Sequence, residues 1–270
     1  VINSYDDCLE LQQDLDNFIY WCKRNCLEVN KDKCRVLKFS RKKNHIYFYY
    51  NIKGKVLIQV DQLSDLGIII DNELTFVPQI LQLINTTLKT LGFIFRIARE
   101  FDNLSCIRIL FYALVRSKLE YCCIIWTPHH QIYIDALELV NRKFCKFMYF
   151  KTFGYYPIRH HDHADLLRIV NEDSLLSRRN MFLLSFLQKL VCGGICSYNL
   201  LSEIKIVVPN FTRRNVNIFY FAIPRTYHHF NSTLIKCFRL YNSVCNQDID
   251  IFHDKFQTKA MRKKLMSIKD

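Results

Sequence analysis

Six basic residues at helical spacing are the side chains best suited to bind phosphate. They form two groups: Lys89, Arg96 and Arg99, at steps of seven and three, and Arg142, Lys143 and Lys146, within about one helical turn. Cations arranged in this way could follow the phosphates of a nucleic-acid duplex. A charged helix face is more commonly just hydrated, so the spacing alone leaves both interpretations open.

Two sets of Cys and His residues have metal-binding side chains but poorly fitting spacings. Zinc could be held by Cys22, Cys26, Cys34 and His45, although structural zinc sites need a defined four-ligand spacing. The run His160-His161-Asp162-His163 is interpreted as a polar loop, because exposed histidines bind metal only when their geometry is fixed. The sequence contains no P-loop, GxSxG, HExxH or dinucleotide-binding motif.

The composition excludes a disordered chain and favours an anionic partner. Half of the 270 residues are apolar and 14% are aromatic, which predicts a packed core. The 38 Lys and Arg exceed the 25 Asp and Glu, and the resulting net charge of +13 is typical of nucleic-acid-binding proteins. We expect neither a membrane span nor a secretory signal, and we expect 12 reduced cysteines, so a nuclear or cytoplasmic location is predicted.

The hydrophobic pattern predicts an α+β fold, in which a small antiparallel sheet with one helix precedes a mainly helical region. The first part has a predicted helix over 4–25, a strand over 34–40, a hairpin of 46–52 and 56–60, and a short buried strand over 65–71. Later predictions are helices over 78–101, 104–125, 131–150, 173–192, 233–244 and 251–268, with a strand over 213–223.

Charge divides the chain into three predicted modules. Residues 1–75 hold 11 basic and 11 acidic side chains, residues 76–150 hold 9 and 5, and residues 151–270 hold 18 and 9. The balanced, strand-rich start and the basic, helical remainder therefore differ in character.

A series of short motifs runs in order along most of the chain. Their residues are Leu11-Gln12-Gln13-Asp14-Leu15-Asp16, Trp21-Cys22, Asn25, Leu27, Asn30, Lys33-Cys34, Phe39-Ser40, Asp65-Leu66-Gly67, Asp71, Leu74-Thr75-Phe76, Leu91-Gly92-Phe93-Ile94, Arg96, Leu114-Val115-Arg116-Ser117, Leu119-Glu120-Tyr121, Ile125-Trp126-Thr127-Pro128, Leu137-Glu138, Asn141, Lys143-Phe144, Ser174-Leu175, Arg178-Arg179, Pro209, Arg213 and Tyr241-Asn242. This order resembles the reverse transcriptases of non-LTR retrotransposons, the jockey-like group of arthropods in particular. The family patterns include LQxDLxxLxxWC, DLGVxxDxxLxF, LVRSxLEYxSxIWxP and SLxxRR.

The resemblance implies RNA-directed DNA polymerisation by two Mg²⁺ ions held between clustered carboxylates. In the family two of these carboxylates belong to a YxDD hairpin, which is expected just upstream of the helix that begins near Ser4. The chain alone is therefore expected to bind no cofactor and to be inactive. The similar run Tyr5-Asp6-Asp7 is interpreted as the start of a helix, where the dipole favours acids. The first residue, Val1, agrees with an expected longer reading frame.

The resemblance also implies roles for individual residues. Lys33 would approach the phosphates of the nucleotide, and Leu66-Gly67 would belong to the primer-grip strand, where Gly lets the backbone approach the primer closely. The alternatives are a hydrated lysine and a buried strand that needs a small residue. The six basic residues would belong to the helical thumb within 76–150, between the palm edge at 1–75 and a basic tail at 151–270. The implied partners are an RNA template, a DNA primer, and the fingers, palm and endonuclease upstream.

Two alternatives to a polymerase fragment remain open. One is a retroelement-derived, non-enzymatic protein that binds nucleic acid or another protein. The other is a decayed element that yields no stable protein.

Overall fold

A computed structural model describes residues 1–40, 46–157, 162–207, 217–244 and 251–252. The predicted α+β fold class is confirmed, because small strand pairs precede a mainly helical region. Contacts between residues divide the chain into two compact units, Val1–Leu81 and Gln82–Asp270. The division falls within a helix that begins near the predicted 75/76 boundary, whereas the predicted 150/151 boundary falls inside a later helix.

The first unit combines one long helix with short strands. Its elements are α1 (Tyr5–Arg24), β1 (Arg35–Leu37), β2 (Asn51–Ile52), β3 (Lys55–Val56), β4 (Ile58–Val60), β5 (Gln62–Asp65) and β6 (Ile68–Asp71). The pairs β2/β3 and β5/β6 are antiparallel, as predicted for the sheet, whereas β1 pairs with β4 in parallel. The basic run Arg41-Lys42-Lys43 lies outside the described residues.

The start of α1 confirms that Tyr5-Asp6-Asp7 is the first turn of a helix. The Ser4 hydroxyl accepts a hydrogen bond from the Asp7 N–H at 3.2 Å, and the Asp7 carboxylate accepts from the Ser4 N–H at 3.0 Å. This reciprocal capping box satisfies backbone donors that a helix start leaves unpaired. Hydrogen bonds to the Asp7 carboxylate, first from the Asn3 N–H and then from Ser4, lower the pKa of Asp7.

The predicted strand over 65–71 is interrupted by a turn. Leu66 and Gly67 have φ of +47° and +82° and connect β5 to β6. A two-residue hairpin loop with two positive φ values has the twist of a type I′ turn. The prediction that Leu66 and Gly67 lie in a strand is therefore wrong, because these residues form the exposed tip of a hairpin.

The second unit is mainly helical. The helix α2 (Val77–Ile97) crosses the division, and the further elements are α3 (Leu104–Phe111), a π-helical turn (Tyr112–Arg116), α4 (Ser117–Glu120), α5 (Cys123–Trp126), α6 (Gln131–Phe153), α7 (His163–Val170), α8 (Leu175–Val191), α9 (Tyr198–Ser202), β7 (Lys205–Ile206), β8 (Phe219–Tyr220), α10 (Tyr227–Phe230) and α11 (Thr233–Val244). Of the strand predicted over 213–223, only β8 is a strand, and residues 213–216 lie outside the described residues. Residues 253–268, most of the last predicted helix, also lie outside the described residues.

The helix predicted over 104–125 is broken in the structure. After α3 the chain widens into the π-helical turn, and Cys122 adopts a left-handed conformation with φ of +49° between α4 and α5. The indole N–H of Trp126 donates to the Tyr121 carbonyl at 2.8 Å, and this bond fixes the bend. The prediction of one continuous helix is therefore wrong.

Aliphatic side chains form most of the core of the second unit, and aromatic rings stack within it. Phe111 of α3 stacks on Phe144 of α6 with ring centroids 3.7 Å apart, and both are fully buried. Near the end of the chain, Phe219 of β8 stacks on Phe238 of α11 at 5.1 Å. Removing such large apolar rings from water stabilises the folded unit. Within the described residues, no helix combines the length and apolar character needed to cross a bilayer.

Candidate nucleic-acid interface

The basic stripe predicted on α2 is exposed. Lys89 and Arg96 lie on the helix and are both exposed, while Leu91 and Ile94 on the opposite face are buried. Arg99 is exposed as well, but it lies in the turn that follows Ile97 rather than on the helix. The predicted stripe therefore consists of two helical residues and one residue of the following loop.

The second predicted group lies on α6. Arg142 and Lys143 are exposed, and Lys146 is half-buried. The buried neighbours Phe144 and Phe147 face the core of the unit. Each residue of the group therefore has its side chain on or near the solvent side of a helix that is anchored by aromatic packing.

The structure brings the two groups onto neighbouring helices. Phe95 of α2 stacks on Phe147 of α6 with centroids 4.3 Å apart, and these rings immediately adjoin Arg96 and Lys146 in the sequence. The Lys151 amine, near the end of α6, donates to the Phe101 carbonyl at 3.2 Å and pairs with Asp102 at 3.1 Å. These contacts hold the loop after α2, which carries Arg99, against the end of α6.

No carboxylate of the described residues forms an ion pair with any of these six side chains. Unpaired cations attract anions over roughly 10 Å at moderate salt. The six residues, here called the α2–α6 basic surface, are thus available to phosphates.

Other basic residues of the second unit are neutralised internally around Glu172. This carboxylate is buried, accepts a hydrogen bond from the Tyr112 hydroxyl at 2.6 Å, and lies 3.1 Å from Nε of Arg108. Its other oxygen accepts from Arg116, whose guanidinium also lies 3.9 Å from the centroid of the Tyr112 ring. Burial and, secondarily, Glu172 raise the pKa of Tyr112. The π-helical turn carries both Tyr112 and Arg116 and therefore builds this buried ionic cluster.

A second carboxylate, Glu120, extends the buried ionic cluster to α8. Arg178 donates to both Glu120 oxygens, with one bond of 2.8 Å, and lies 3.6 Å from Asp173. The hydrogen bonds with Glu120 raise the pKa of Arg178 despite its partial burial. Arg116 and Glu120, four residues apart, approach each other only to 4.0 Å, because each residue has a closer partner elsewhere.

A third buried carboxylate, Glu138, joins α6 to α7 and α8. It accepts hydrogen bonds from His163 at 2.9 Å, from the Asn141 amide at 3.1 Å and from the Leu175 N–H at 3.0 Å. Burial alone would raise the pKa of Glu138, but these hydrogen bonds outweigh it and lower the pKa. The motif residues Glu138 and Asn141 therefore act as supports between helices.

Sequence reasoning missed the structural role of several motif residues. Arg116 and Glu120 of the LVRSxLEY pattern, and Arg178 of the SLxxRR pattern, meet in one buried ionic cluster. Arg179 is buried too, with its guanidinium 5.8 Å from the centroid of the Trp126 ring. The sequence carried one signal of this role. These charged residues lie between apolar residues at core positions, and a charged side chain is rarely buried without a partner.

The predicted primer-side residues lie on the first unit. Lys33 is exposed in the turn before β1, where its N–H donates to the Asn30 carbonyl at 3.2 Å. Leu66 is 83% exposed at the tip of the β5/β6 hairpin, next to the exposed Gly67. Lys33 lies before β1, and the β5/β6 hairpin follows β4, the parallel partner of β1. Lys33 and the pair Leu66 and Gly67 therefore lie on different elements.

Neither proposed metal set is assembled in the described residues, which contain no group of three or more His, Cys, Asp or Glu side chains that could hold a metal ion. Cys22 is buried in α1 and Cys26 is exposed after it. His45, His160 and His161 lie outside the described residues.

Comparisons with known proteins found no relative of the chain. No family model, no curated protein and no solved structure matches the chain.

Proposed function

We propose that the chain is the C-terminal part of an RNA-directed DNA polymerase similar to those of jockey-like non-LTR retrotransposons, and that it holds the template–primer duplex during reverse transcription. The observation that carries the proposal is the α2–α6 basic surface. Its cations have no carboxylate partner among the described residues, whereas Arg108, Arg116 and Arg178 of the same unit are all paired. The collinear motifs support the proposed family, and the unpaired cations support the proposed nucleic-acid-binding surface.

The spacing of the cations suits the backbone of a duplex. Lys89 and Arg96 are seven residues apart on α2, a distance of about 10 Å along the helix axis. Because phosphates of one strand recur about every 3.4 Å along a duplex, two such cations span about three phosphates. Contacts with phosphates fix the position of a duplex without selecting a sequence, as a polymerase requires.

The exposed hairpin tip is the proposed contact with the primer end. A left-handed leucine is unfavourable, because its Cβ crowds the following carbonyl oxygen. Leu66 nevertheless occupies this conformation and leaves its apolar side chain exposed. Local strain of this kind is common at functional sites. It supports a role for Leu66 and Gly67 against the primer, with Lys33 as a further phosphate contact.

The chemical step in this proposal depends on other parts of the polymerase. Clustered carboxylates would hold two Mg²⁺ ions, which would supply activation of the primer hydroxyl and stabilisation of the pyrophosphate that leaves. We propose that the upstream palm supplies those carboxylates and that this chain supplies substrate binding. The chain alone is therefore expected to bind a template–primer without extending it.

The proposal is tested by reversing charge on α2. The double variant Lys89→Glu with Arg96→Glu should weaken binding of an RNA–DNA duplex by at least about tenfold, because two phosphate contacts become repulsive. Lys189→Glu with Lys205→Glu is the matched control, since both residues are exposed in the same unit but lie outside the α2–α6 basic surface. Equal losses of affinity in the two double variants would show that only overall charge matters, and the proposal would fail.

A further inference from the structure

A cluster of histidine and tyrosine rings lies on the second unit and shares no residue with the α2–α6 basic surface. The ring of Tyr227 on α10 lies 4.9 Å from His129 and 5.7 Å from His130, measured between centroids. His130 also contacts Tyr133, on the first turn of α6, at 6.3 Å. These four residues, here called the His–Tyr cluster, combine the loop before α6, the start of α6 and α10.

The loop that carries the two histidines is anchored to α11. The Lys236 amine donates to the Thr127 carbonyl at 3.0 Å, and the Thr233 hydroxyl donates to the Ile124 carbonyl at 3.1 Å. The neighbouring Trp126 is fully buried. The two histidine rings of the His–Tyr cluster are therefore presented by a supported loop and need little ordering to bind a ligand.

Two basic side chains lie near the histidine rings. Burial, with smaller contributions from His130, Lys236 and His228, lowers the pKa of His129 to about 4. Burial and then Arg239 lower the pKa of Lys236 to about 8. Lys236 therefore acts on His129 and Arg239 acts on Lys236, while the acidic Asp135 on α6 accepts a hydrogen bond from Gln131 at 2.8 Å.

Two of the rings can accept a stacking partner. Tyr227 is 53% exposed and His130 is also exposed. The guanidinium of the exposed Arg239 on α11 lies 3.9 Å from the centroid of the Phe230 ring on α10, and an arginine stacked on a ring in this way can still bind phosphate. Exposed aromatic faces beside cations are the arrangement with which proteins bind single-stranded nucleic acid.

We propose that the His–Tyr cluster is a binding site for single-stranded nucleic acid, in which bases stack on His130 and Tyr227 and phosphates lie beside Lys236 and Arg239. The duplex proposed for the α2–α6 basic surface keeps its bases stacked inside, so it offers only phosphates. A single strand offers both phosphates and the free faces of its bases. An acidic peptide would match the charges but would leave the aromatic faces unused. The site thus goes beyond duplex binding and adds an unpaired strand as a ligand.

The test compares two variants of the full chain for binding a labelled oligouridine and a labelled oligothymidine of about 12 nucleotides, a length within the range that single-strand sites cover. His130→Ala with Tyr227→Ala should weaken this binding by at least about fivefold, since each stacked base contributes about 1 kcal/mol or more. Tyr198→Ala is the control, because Tyr198 is 84% exposed on α9 and lies outside the cluster. Binding of an RNA–DNA duplex should change much less in the double variant.

Several outcomes would overturn the proposal. They are an equal loss in the control, an unchanged affinity in the double variant, and wild-type binding of an abasic oligonucleotide as tight as that of oligouridine. The abasic comparison uses the unaltered chain, so it decides the question even where the double variant does not fold. Competition by polyglutamate as strong as that by oligouridine would instead identify an acidic protein as the ligand. Duplex binding that fails while single-strand binding persists would contradict the proposed polymerase role alone.

Discussion

Four basic residues of the second unit fall into two classes, those paired with a carboxylate and those without a carboxylate partner among the described residues. Arg116 and Arg178 are buried or nearly so against carboxylates, whereas Lys89 and Arg96 are exposed and unpaired among the described residues. A buried charge that loses its partner is strongly destabilising, and an exposed one is not. Substitution of a buried, paired arginine should therefore reduce mainly the stability of the fold. Substitution of an exposed, unpaired cation should reduce mainly the binding of nucleic acid.

Removing the charge of Glu172 should destabilise the fold. In Glu172→Gln the guanidinium groups of Arg108 and Arg116 would lose their carboxylate, and the free energy of unfolding should fall by about 3–5 kcal/mol. The control Asp165→Asn breaks the exposed pair with Arg168 and should cost less than about 1 kcal/mol. Urea denaturation measures both values, and similar losses in the two variants would contradict a stabilising buried ionic cluster.

The residue types predicted the exposed surface but not the buried ionic cluster. Helical periodicity alone placed Lys89 and Arg96 on the solvent side of α2, because their neighbours Leu91 and Ile94 had to face the core. Glu172 is separated from Arg116 by 56 residues and Arg178 from Glu120 by 58. Such pairs depend on how the helices pack, which no local pattern reveals.

At the scale of elements, local rules located most of the longer helices and the β2/β3 hairpin, and tertiary contacts decided where the second predicted helix breaks. The start of α1 was predictable, because Ser4 and Asp7 supply a complete cap. The break at Cys122 was not, because the apolar pattern continues through it and the bend depends on the Trp126 indole. The turn at Leu66 was also missed, since type I′ turns favour Asn or Gly at that position.

The strained turn at Leu66 should lower the free energy of unfolding while serving template–primer binding. Leu66→Asn should raise the free energy of unfolding by up to about 1 kcal/mol, because asparagine tolerates the left-handed conformation better than leucine. Leu66→Ala keeps the strain and should give no such gain. Both variants should weaken template–primer binding if Leu66 contacts the primer. A destabilised Leu66→Asn variant would contradict the assignment of strain.

At the scale of the whole molecule, three groups should make stability depend on pH. His129 has an ordinary pKa of 6.5 that the fold lowers to about 4, and the fold also lowers the carboxyl pKa of Glu138 and Asp71. For Asp71, burial opposes this shift, but hydrogen bonds from Thr75 and Phe76 outweigh it. In each case the unfolded chain binds protons at a higher pH than the folded chain, so acid favours unfolding.

The free energy of unfolding should therefore be greatest above pH 6.5 for these groups and should fall as the pH decreases from about 6.5 to about 4 through His129. At lower pH the decline should continue as Glu138 and Asp71 protonate. Urea denaturation of the wild type and of His129→Gln at a series of pH values measures this, because the variant should lose only the upper part of the decline. An equal slope in both chains between pH 6.5 and 4 would contradict the burial of a neutral His129.

Within the described residues, Arg108, Arg116 and Arg178 are paired with carboxylates, whereas Lys89 and Arg96 are exposed without such a partner. The central claim is that Lys89 and Arg96 contact the phosphates of a template–primer duplex. The most direct measurement is the salt dependence of duplex binding for the wild type and for Lys89→Gln with Arg96→Gln. The wild type should show a log–log slope equivalent to at least about four phosphates, and the double variant should lower that slope by about two. A shallow wild-type slope, or the same slope in both chains, would contradict the claim.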